Sequence, residues 1–349
     1  MTMFLQALAT ALPPDVFTQA ECWEIVRNSP VLQRLSRRTQ LILRAILKGD
    51  SGVRTRRLAV PEIEGVFDLT ADQLNAAFRT EAPRLAGRAL SSALAQAGIA
   101  VDEIDALLVC TCTGYLCPGV SSYVAEQLGL RTDVFLQDLV GLGCGAAIPT
   151  LRAAQAVLAA NPEAVVACIA VEICSAAFYL DDDPGVIISA CLFSDGAAAT
   201  IWRGTPGPGG WGCHSFDTLH LPADRDRLRF EQRDGKLRNL LDPAVPQLAA
   251  AAVSRLLAGA RTKAARPIQQ IIAHPGGRDV INALEAALPE YPLGASRRIL
   301  REFGNMSSPS VLFALAEALA NGQPDASGDW WLVSFGAGFS AHACRFGVA

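Results

Sequence analysis

Apolar residues recur along the chain in two patterns, short continuous runs and longer segments with a helical period. The short runs end at polar residues, Gly or Pro, which is typical of buried strands. They predict strands at Ala106–Thr111, Val165–Val171, Ala197–Trp202, Gln270–Ala273 and Trp331–Phe335. The longer segments predict helices at Glu81–Ala97, Ser121–Leu128, Gly145–Ala160, Pro246–Leu257, Arg278–Leu288 and Ser308–Leu319. Because strands and helices alternate, the pattern predicts an α/β fold.

The N-terminal segment MTMFLQALATALPPDVF is apolar but has no basic residue ahead of its apolar run. It therefore predicts a first strand that ends at Pro13-Pro14, and no signal peptide. The Ala-rich stretch after Cys144 is interrupted by Arg152, so it predicts a buried helix and no membrane span. We expect a soluble, cytoplasmic protein that does not bind membranes.

The least regular part of the chain is the seam, residues 203–242, where GTPGPGG precedes the charged stretch DRDRLRFEQRDGKLR. Such a Gly/Pro-rich stretch is a natural boundary. We expect a first half over residues 1–203 and a second half over residues 204–349. The seam itself is either a solvated hairpin or insertion, or a wall of a substrate pocket, and periodicity does not separate the two.

Composition and charge exclude several classes of function. With 349 residues, 51% of them hydrophobic, the chain can bury a large core, and its net charge of -4 gives no general basic surface for nucleic acid. Most of the ten cysteines lie in apolar runs, which indicates reduced buried thiols. The pair Cys110 and Cys112 resembles half of a zinc site, but no second pair accompanies it, so we expect no metal.

One cysteine has a setting suited to chemistry. Cys144 lies in DLVGLGCGAAIPTLR, between glycines, at the predicted start of a helix. Helix N-termini favour the thiolate and lower the thiol pKa, and flanking glycines let a substrate approach. Without further evidence, a lone cysteine in an Ala-rich segment is also compatible with simple core packing.

A histidine and an asparagine occupy comparable positions. His274 follows an apolar strand in IIAHPGGRDV, and reactive groups in α/β proteins gather where strands end. Asn305 lies in REFGNMSSPSVLFAL between a glycine and a predicted helix, where it is either a functional amide or a loop and capping residue. Cysteine, histidine and asparagine also describe papain-like proteases, but those carry the cysteine near the mature N-terminus.

Four segments together carry a family resemblance. GCGAA at Cys144, AHPGG at His274, FGNMSSPSVLF at Asn305 and the terminal SFGAGFSAH resemble, in this order, the bacterial type III polyketide synthases. These are chalcone and stilbene synthase-like members of the thiolase superfamily, and the resemblance runs from about Leu41 to the end. It implies a thiolase-like, duplicated, five-layered αβαβα fold, with Cys144 in the first half and the other two residues in the second. It also implies a homodimer.

The resemblance implies a reaction and a role for each residue. Cys144 would take an acyl group from an acyl-CoA starter, with His274 assisting its ionisation. Malonyl-CoA would then lose CO2, and His274 and Asn305 would hold the resulting enolate. The product would be a pyrone or a resorcinol-like aromatic. CoA thioesters are the substrates, and no metal or redox cofactor is required.

Further positions match the family locally. Phe193 resembles an aromatic gatekeeper, although Ser194 follows it where the family has glycine; a second gatekeeper is expected within the seam. Four other positions are expected to line the substrate pocket: Ala177, Ser307, Gly336 and Gly338. The SFGAG segment that holds the two glycines carries Ala337 where the family commonly has proline. The run GVRTRRLA offers Arg54, Arg56 and Arg57 to the CoA phosphates, or else is an exposed charged turn.

Three other functions remain as alternatives. The first is a β-ketoacyl synthase that performs a single condensation, although its histidine is usually followed by Gln-Ala-Asn, which is absent here. The second is an inactive thiolase-fold partner, against which the presence of Cys144, His274 and Asn305 argues. The last is a cysteine hydrolase.

Overall fold

The computed structural model describes residues 2–262, 266–322 and 327–348. The strands are β1 (Met3–Ala11), β2 (Val16–Thr18), β3 (Thr55–Arg57), β4 (Ala106–Thr111), β5 (Phe135–Val140), β6 (Val166–Glu172), β7 (Gly196–Arg203), β8 (Trp211–His220), β9 (Leu228–Arg233), β10 (Lys236–Leu241), β11 (Ile268–Ala273), β12 (Asp329–Gly336) and β13 (Ser340–Val348). The helices are α1 (Gln19–Asn28), α2 (Val31–Arg34), α3 (Arg37–Lys48), α4 (Ala71–Ala97), α5 (Val120–Leu128), α6 (Ala147–Ala160), α7 (Pro184–Leu192), α8 (Val245–Thr262), α9 (Arg278–Ala287), α10 (Gly294–Phe303) and α11 (Ser310–Asn321).

A mixed sheet of nine strands runs through the molecule in the order β11-β12-β13-β8-β1-β7-β6-β4-β5. Strands β1 and β4 to β7 occupy one end of this order, and β8 and β11 to β13 occupy the other. Strands β2 and β3, and strands β9 and β10, form two separate two-stranded sheets. The two groups meet where β1 pairs with β8, at Met3 opposite Cys213 and Phe4 opposite Gly212. The order agrees with the expected halves, while the boundary at residue 203 stays a prediction.

Alternate residues of the first group of strands face two different helix layers. Leu108 and Cys168 point into a core that contains α6 and α11. Their neighbours Leu107 and Ile169 point to the opposite face, where α4 packs. Because both faces are covered, β4 and β6 are buried along their whole length and contain few polar residues.

The second group of strands repeats this arrangement. Leu332 and Cys344 contact the same central core as α6 and α11, whereas Trp331 and Ala343 face an outer core built on α8 and α9. The five layers are therefore α4, the first group of strands, α6 with α11, the second group of strands, and α8 with α9. This confirms the predicted five-layered α/β fold.

Every strand and helix predicted from the apolar pattern is present. The largest difference is in α4, which begins at Ala71, ten residues before the predicted start, and continues through Pro83. Its N-terminus is fixed by a capping box between Thr70 and Gln73, and it ends at Gly98 in a left-handed conformation.

The described residues hold no helix with both the length and the apolar character needed to cross a membrane.

Candidate active site

Cys144, His274 and Asn305 all line one large cavity of about 670 Å³. Helix α7 and strand β10 form much of its wall, and the start of α9 lies at its edge. The three residues are far apart in sequence, so the fold brings them together. Strand β10 belongs to the seam, which is thus both a hairpin, β9 with β10, and part of a pocket wall.

The turn that carries Cys144 depends on a close approach by the chain's last strands. Residues 143–145 form a single 3₁₀ turn that leads into α6. A Cβ on Gly336, at the end of β12, would lie 2.5 Å from the Leu142 carbonyl oxygen and 3.0 Å from the Cys144 nitrogen. Gly336 is therefore required beneath the Cys144 turn. Neither Gly336 nor Gly338 lines the cavity: Gly338 lies instead beside Ser340 and His220, with φ 128°.

The Cys144 thiol accepts a hydrogen bond from the Ser307 hydroxyl, with 3.2 Å between Oγ and Sγ. Burial raises the pKa of Cys144 to about 12, and the Ser307 hydrogen bond opposes this effect only in part. The negative charge of Glu172 raises the pKa further. The expectation that the helix start lowers the pKa of Cys144 is thus wrong. Ionisation of this thiol at neutral pH requires a proton acceptor.

His274 lies directly after β11, at the predicted strand end. The side chain is buried, the edge of its ring contacts Phe335 with 5.3 Å between centroids, and Nδ1 has no hydrogen-bond partner among the described residues. Burial lowers the pKa of His274 to about 3. The imidazole is therefore neutral at physiological pH, and it has one nitrogen that can accept a proton and one that can donate a hydrogen bond.

Asn305 is held by main-chain and side-chain hydrogen bonds and does not cap the following helix. Its N–H donates to the Leu192 carbonyl (2.9 Å), and its carbonyl accepts from the Ser194 N–H (2.8 Å). Its Oδ1 accepts from the Ser307 N–H (2.8 Å), while Nδ2 donates to the Gly276 carbonyl (3.0 Å). An amide nitrogen carries two hydrogens, so one remains for a ligand.

Phe193, at the end of α7, lines both the large cavity and a small inner chamber of about 20 Å³. Ala177 and Ser307 line this chamber, as expected. Three aromatic residues also line it and reduce its volume: Phe178, Tyr179 and Phe230. The small side chain of Ala177 therefore does not leave a large space. Phe230 lies on β9 in the seam, where a second gatekeeper was expected.

The three arginines predicted to bind CoA phosphates do not line the cavity. Arg56 is 3% exposed and donates to the carbonyls of Ala190 (2.7 Å) and Phe193 (3.0 Å). Arg57 donates to the Pro14 carbonyl (2.9 Å). Both therefore hold the chain together, and Arg56 fixes the main chain at Phe193.

Arg54 and Arg278 lie nearer the surface, where each forms ion pairs. Arg54 is exposed and pairs with Glu302. Arg278 was not identified from the sequence as a binding residue, yet it lines the large cavity. Its guanidinium contacts Asp50 and Asp279, each at the surface.

Comparison with known proteins identifies the family. Residues 15–206 match the sequence model described as FAE1/Type III polyketide synthase-like protein, and residues 232–344 match chalcone and stilbene synthases, C-terminal domain. The chain belongs to the type III polyketide synthase family. It is 33% identical to a 1,3,6,8-tetrahydroxynaphthalene synthase of Streptomyces peucetius subsp. caesius, over 96% of this chain and 90% of that protein. It is 28% identical to a 3,5-dihydroxyphenylacetyl-CoA synthase of Streptomyces toyocaensis, over 78% and 74% of the two chains.

Solved structures agree with this assignment. The crystal structure of PKS-I from the brown alga Ectocarpus siliculosus superposes with a TM-score of 0.89 at 25% identity, over 99% of this chain and 98% of that one. The C-terminal type III domain of Steely1 from Dictyostelium superposes with a TM-score of 0.88 over 100% of both chains; at 21% identity this shows the fold alone. The family resemblance of the sequence is confirmed. This synthase is an acyltransferase of the decarboxylative condensing class, and CoA thioesters are its substrates.

Sequence reasoning missed a buried acid that is linked to Cys144 in this polyketide synthase. Glu172 is fully buried and accepts hydrogen bonds from the hydroxyls of Ser308 (2.6 Å) and Thr113 (2.8 Å). Burial raises the pKa of Glu172, against the effect of these hydrogen bonds. The sequence does contain a signal, because Glu172 is the one charged residue of the apolar strand VACIAVE.

Cys112 links this acid to Cys144. Its thiol donates to Glu172 Oε1 (3.3 Å) and lies 3.3 Å from the Ser307 hydroxyl, which in turn donates to Cys144. Burial raises the pKa of Cys112 well above its usual range. Cys112 and Glu172 do not belong to a metal site. Within the described residues, no three or more His, Cys, Asp or Glu side chains are grouped so that they could hold a metal ion.

Proposed function

We propose that this synthase loads an acyl-CoA starter on Cys144, extends it with malonyl-CoA and cyclises the product to a pyrone or a resorcinol-like aromatic. The observation that supports this most is the convergence of Cys144, His274 and Asn305 on one 670 Å³ cavity. The matched relatives are named for aromatic products, tetrahydroxynaphthalene and phloroglucinol among them.

The first step transfers the acyl group to sulfur. The neutral His274 accepts the Cys144 proton, and the thiolate and imidazolium that form stabilise each other by Coulomb attraction, since burial disfavours each charge only when it is formed alone. The thiolate then attacks the thioester carbonyl. A new carbon–sulfur bond forms, the bond to the CoA sulfur breaks, and CoA leaves as a thiolate that takes up a proton. A thiol with a raised pKa is reactive only in the presence of such an acceptor, which fits a thiolate formed when substrate is bound.

The second step forms a carbon–carbon bond. Malonyl-CoA loses CO2, and the electron pair left behind becomes an enolate whose oxygen is negatively charged. The remaining Asn305 amide hydrogen and the His274 N–H stabilise this charge. The enolate carbon attacks the acyl group on Cys144, and the sulfur leaves with the released electron pair.

The large cavity, and not the inner chamber, offers room for a growing chain. The inner chamber holds about 20 Å³ and is enclosed by Phe178, Tyr179, Phe193 and Phe230. Growth of the chain therefore uses the large cavity, or requires these aromatic rings to move. Among the cations, we propose two for the CoA phosphates: Arg278, which lines the large cavity, and Arg54, which is exposed three residues after the cavity-lining Ser51.

Intact-protein mass spectrometry tests the nucleophile. Cys144→Ala is incubated with hexanoyl-CoA, and Cys117→Ala, which removes an exposed thiol, is the matched control. We expect the control to gain one hexanoyl mass and Cys144→Ala to gain none. Acylation of Cys144→Ala at the wild-type rate would contradict the proposal. Product masses after addition of malonyl-CoA then distinguish serial extension from a single condensation.

We also propose a homodimer and, because its substrates are CoA thioesters, a cytoplasmic location. Strand β5 is at one end of the sheet and exposes Phe135 and Val140, 52% and 51% respectively. An exposed apolar edge strand is a ready surface for pairing with a second copy. Sedimentation velocity should give twice the mass of one chain, and a monomer at micromolar concentration would contradict this.

A further inference from the structure

Arg238, on β10, is the centre of an ion-pair cluster. Its guanidinium lies 2.6 Å from Asp181 Oδ2, 2.9 Å from Glu231 Oε1 and 3.5 Å from Asp183 Oδ2. The side chain of Arg238 is only 12% exposed. Ion pairs that are partly withdrawn from water are screened less by salt than exposed pairs are. We call these four residues the Arg238 clamp.

The Arg238 clamp joins two segments that are distant in sequence. Glu231 is directly opposite Arg238 in the hairpin of β9 and β10. Asp181 and Asp183 precede α7, and the Asp183 side chain caps this helix by accepting from the Gly185 N–H (2.8 Å). One guanidinium therefore ties the hairpin to the N-terminus of α7.

Two further contacts hold β10 against α7. The Asn239 amide donates to the Ser189 hydroxyl, with 3.0 Å between Nδ2 and Oγ. A Cβ on Gly185 would lie 2.4 Å from the Leu241 carbonyl oxygen, so the first turn of α7 packs directly on the strand. The Arg238 clamp is thus the charged part of a longer contact between the strand and the helix.

The hairpin and the helix that the clamp joins are two walls of the inner chamber. Phe230 and Asn239, each next in sequence to a clamp residue, line the chamber from the hairpin, and Ser189 lines it from α7. Because successive residues of a strand point to opposite faces, the clamp and the chamber lining are on opposite faces of the hairpin. The chamber of about 20 Å³ has the room of about one water molecule. A small displacement of the hairpin would therefore change its volume by a large factor.

The inner chamber adjoins the point at which a growing chain is held. Ser307 lines the chamber, and its hydroxyl donates to Cys144 Sγ. Arg238 itself lines neither the chamber nor the large cavity. Arg238 can therefore act on the chain only through the position of the chamber wall.

We propose that Arg238 is a positioning residue that keeps the inner chamber closed and thereby limits the number of malonyl units added to the chain. This inference rests on the proposed loading and extension at Cys144. With the clamp in place, Phe230 stays in the chamber wall and the chain is confined to the large cavity. With the clamp released, the hairpin moves away from α7 and the chamber admits further two-carbon units.

The test measures product length when the clamp is removed. Wild type and Arg238→Gln are incubated with hexanoyl-CoA and malonyl-CoA, and mass spectrometry gives the ratio of the product with three added malonyl units to that with two. We expect this ratio to rise at least about threefold in Arg238→Gln, since the lost ion pairs are of modest strength. Hexanoyl loading of Cys144 should stay within about twofold of wild type, because Arg238 does not contact the loading site. Arg238→Lys, which keeps the charge but makes fewer contacts, should give an intermediate ratio.

Phe230→Ala tests whether the clamp acts through the chamber wall. Removal of the ring opens the chamber directly, so the ratio should rise in this variant too. Arg238→Gln/Phe230→Ala should show no more than the larger single effect, because both changes act on one wall. Effects that multiply in the double variant would show that Arg238 acts elsewhere, and would overturn the proposal.

The matched control is Arg297→Gln. Arg297 joins α9 to α10 through Glu285 (3.1 Å) and Asn282 (2.8 Å), and it lines neither cavity. Its product ratio should equal that of wild type, whatever the loss in melting temperature. Asp181→Asn weakens the clamp from the other side and should raise the ratio as Arg238→Gln does, so it takes the place of that variant if Arg238→Gln does not fold.

Two results would overturn the role of the Arg238 clamp. One is an unchanged or lower ratio in the clamp variants, and the other is an equal rise in Arg297→Gln. Wild type that loads hexanoyl on Cys144 but adds no malonyl unit would instead refute the proposed extension on which the clamp rests.

Discussion

At the scale of single residues, Ser307 connects the two thiols of the site. Its hydroxyl donates to Cys144 and lies 3.3 Å from the Cys112 sulfur. Its φ of 59° is unusual for a residue with a side chain, and the Asn305 side chain holds its N–H in place. Ser307 is thus positioned by one proposed catalytic residue to contact another.

Removal of the Ser307 hydroxyl should make the Cys144 thiol harder to ionise. In Ser307→Ala the Cys144 thiolate loses a hydrogen bond of about 1.5–3 kcal/mol, which corresponds to a pKa rise of about one to two units. Alkylation by iodoacetamide at pH 8 should slow about 10- to 100-fold, and its pH profile should shift upward. Ser189→Ala, which alters the cavity wall without touching Cys144, is the control. An unshifted profile would show that the hydroxyl has no electrostatic role.

Asn305 should affect the two half-reactions unequally. Asn305→Ala removes a donor to the enolate, so decarboxylation of malonyl-CoA should fall about 100- to 1,000-fold. Loading of Cys144 from hexanoyl-CoA should fall less, because the amide does not contact the sulfur. Radiolabelled CO2 release and intact-protein mass measure the two steps on the same sample. Equal losses would indicate that Asn305 only supports the local structure.

The sequence identifies residues that lie within distinctive motifs and misses those defined by contacts across the fold. Cys144, His274 and Asn305 each lie in a Gly-rich motif at an element boundary. Glu172 and Cys112 acquire their roles only when β4, β6 and the loop at Ser307 meet. Arg56 belongs to a charged run that is typical of an exposed turn. In the structure it is buried, and its guanidinium donates hydrogen bonds to main-chain carbonyls.

At the scale of elements, the end of β12 determines the shape of the turn that carries Cys144. In Gly336→Ala the new methyl group would overlap the main chain at Leu142 and Cys144. Overpacking of this kind costs roughly 1–3 kcal/mol, so the free energy of unfolding should fall by that amount and Cys144 loading should slow.

A matched glycine should respond in the opposite direction. Gly259 lies inside α8, and a methyl group there would meet nothing within 4 Å. Gly259→Ala should therefore raise the free energy of unfolding by about 0.5–1 kcal/mol. Urea unfolding of both variants tests the pair. A stable, fully active Gly336→Ala would mean that β12 can move away without disturbing Cys144.

The elements that the apolar pattern predicts correctly are those buried on a regular face. Helix α3 was not predicted although Leu43 and Leu47 lie on one buried face with a helical period. Helix α7 was not predicted because PGVIISACL is apolar all round and has no helical period. Strand β5, at the edge of the sheet, is largely exposed and has no strong alternation. Tertiary packing decides the conformation of α7 and β5.

At the scale of the whole molecule, two buried histidines make stability depend on pH. Burial lowers the pKa of His274 to about 3 and that of His342 to about 4. The unfolded chain binds these protons near pH 6.5, so acid favours the unfolded state. Each histidine therefore stabilises the fold above pH 6.5, and this contribution is lost progressively as the pH falls from about 6.5 to its folded-state pKa.

His342→Gln should reduce the acid sensitivity of the fold. Between pH 6 and pH 5, the free energy of unfolding should fall less steeply in the variant than in wild type. The two slopes should differ by about 1 kcal/mol per pH unit. Urea unfolding at several pH values measures this slope independently of any constant loss of packing. A slope equal to that of wild type would show that His342 is protonated in the folded state.

The position of β1 imposes an order on synthesis. This strand is central in the sheet, but its partners are encoded much later: Phe4 pairs with Arg203 and Gly212. At about 5–20 residues per second, a ribosome needs roughly 10–40 s to supply them. During that interval an apolar strand with two unpaired edges, MFLQALATA, has already left the exit tunnel. The nascent chain is thus a natural client for a ribosome-bound chaperone, and slow translation should favour aggregation when that chaperone is lacking.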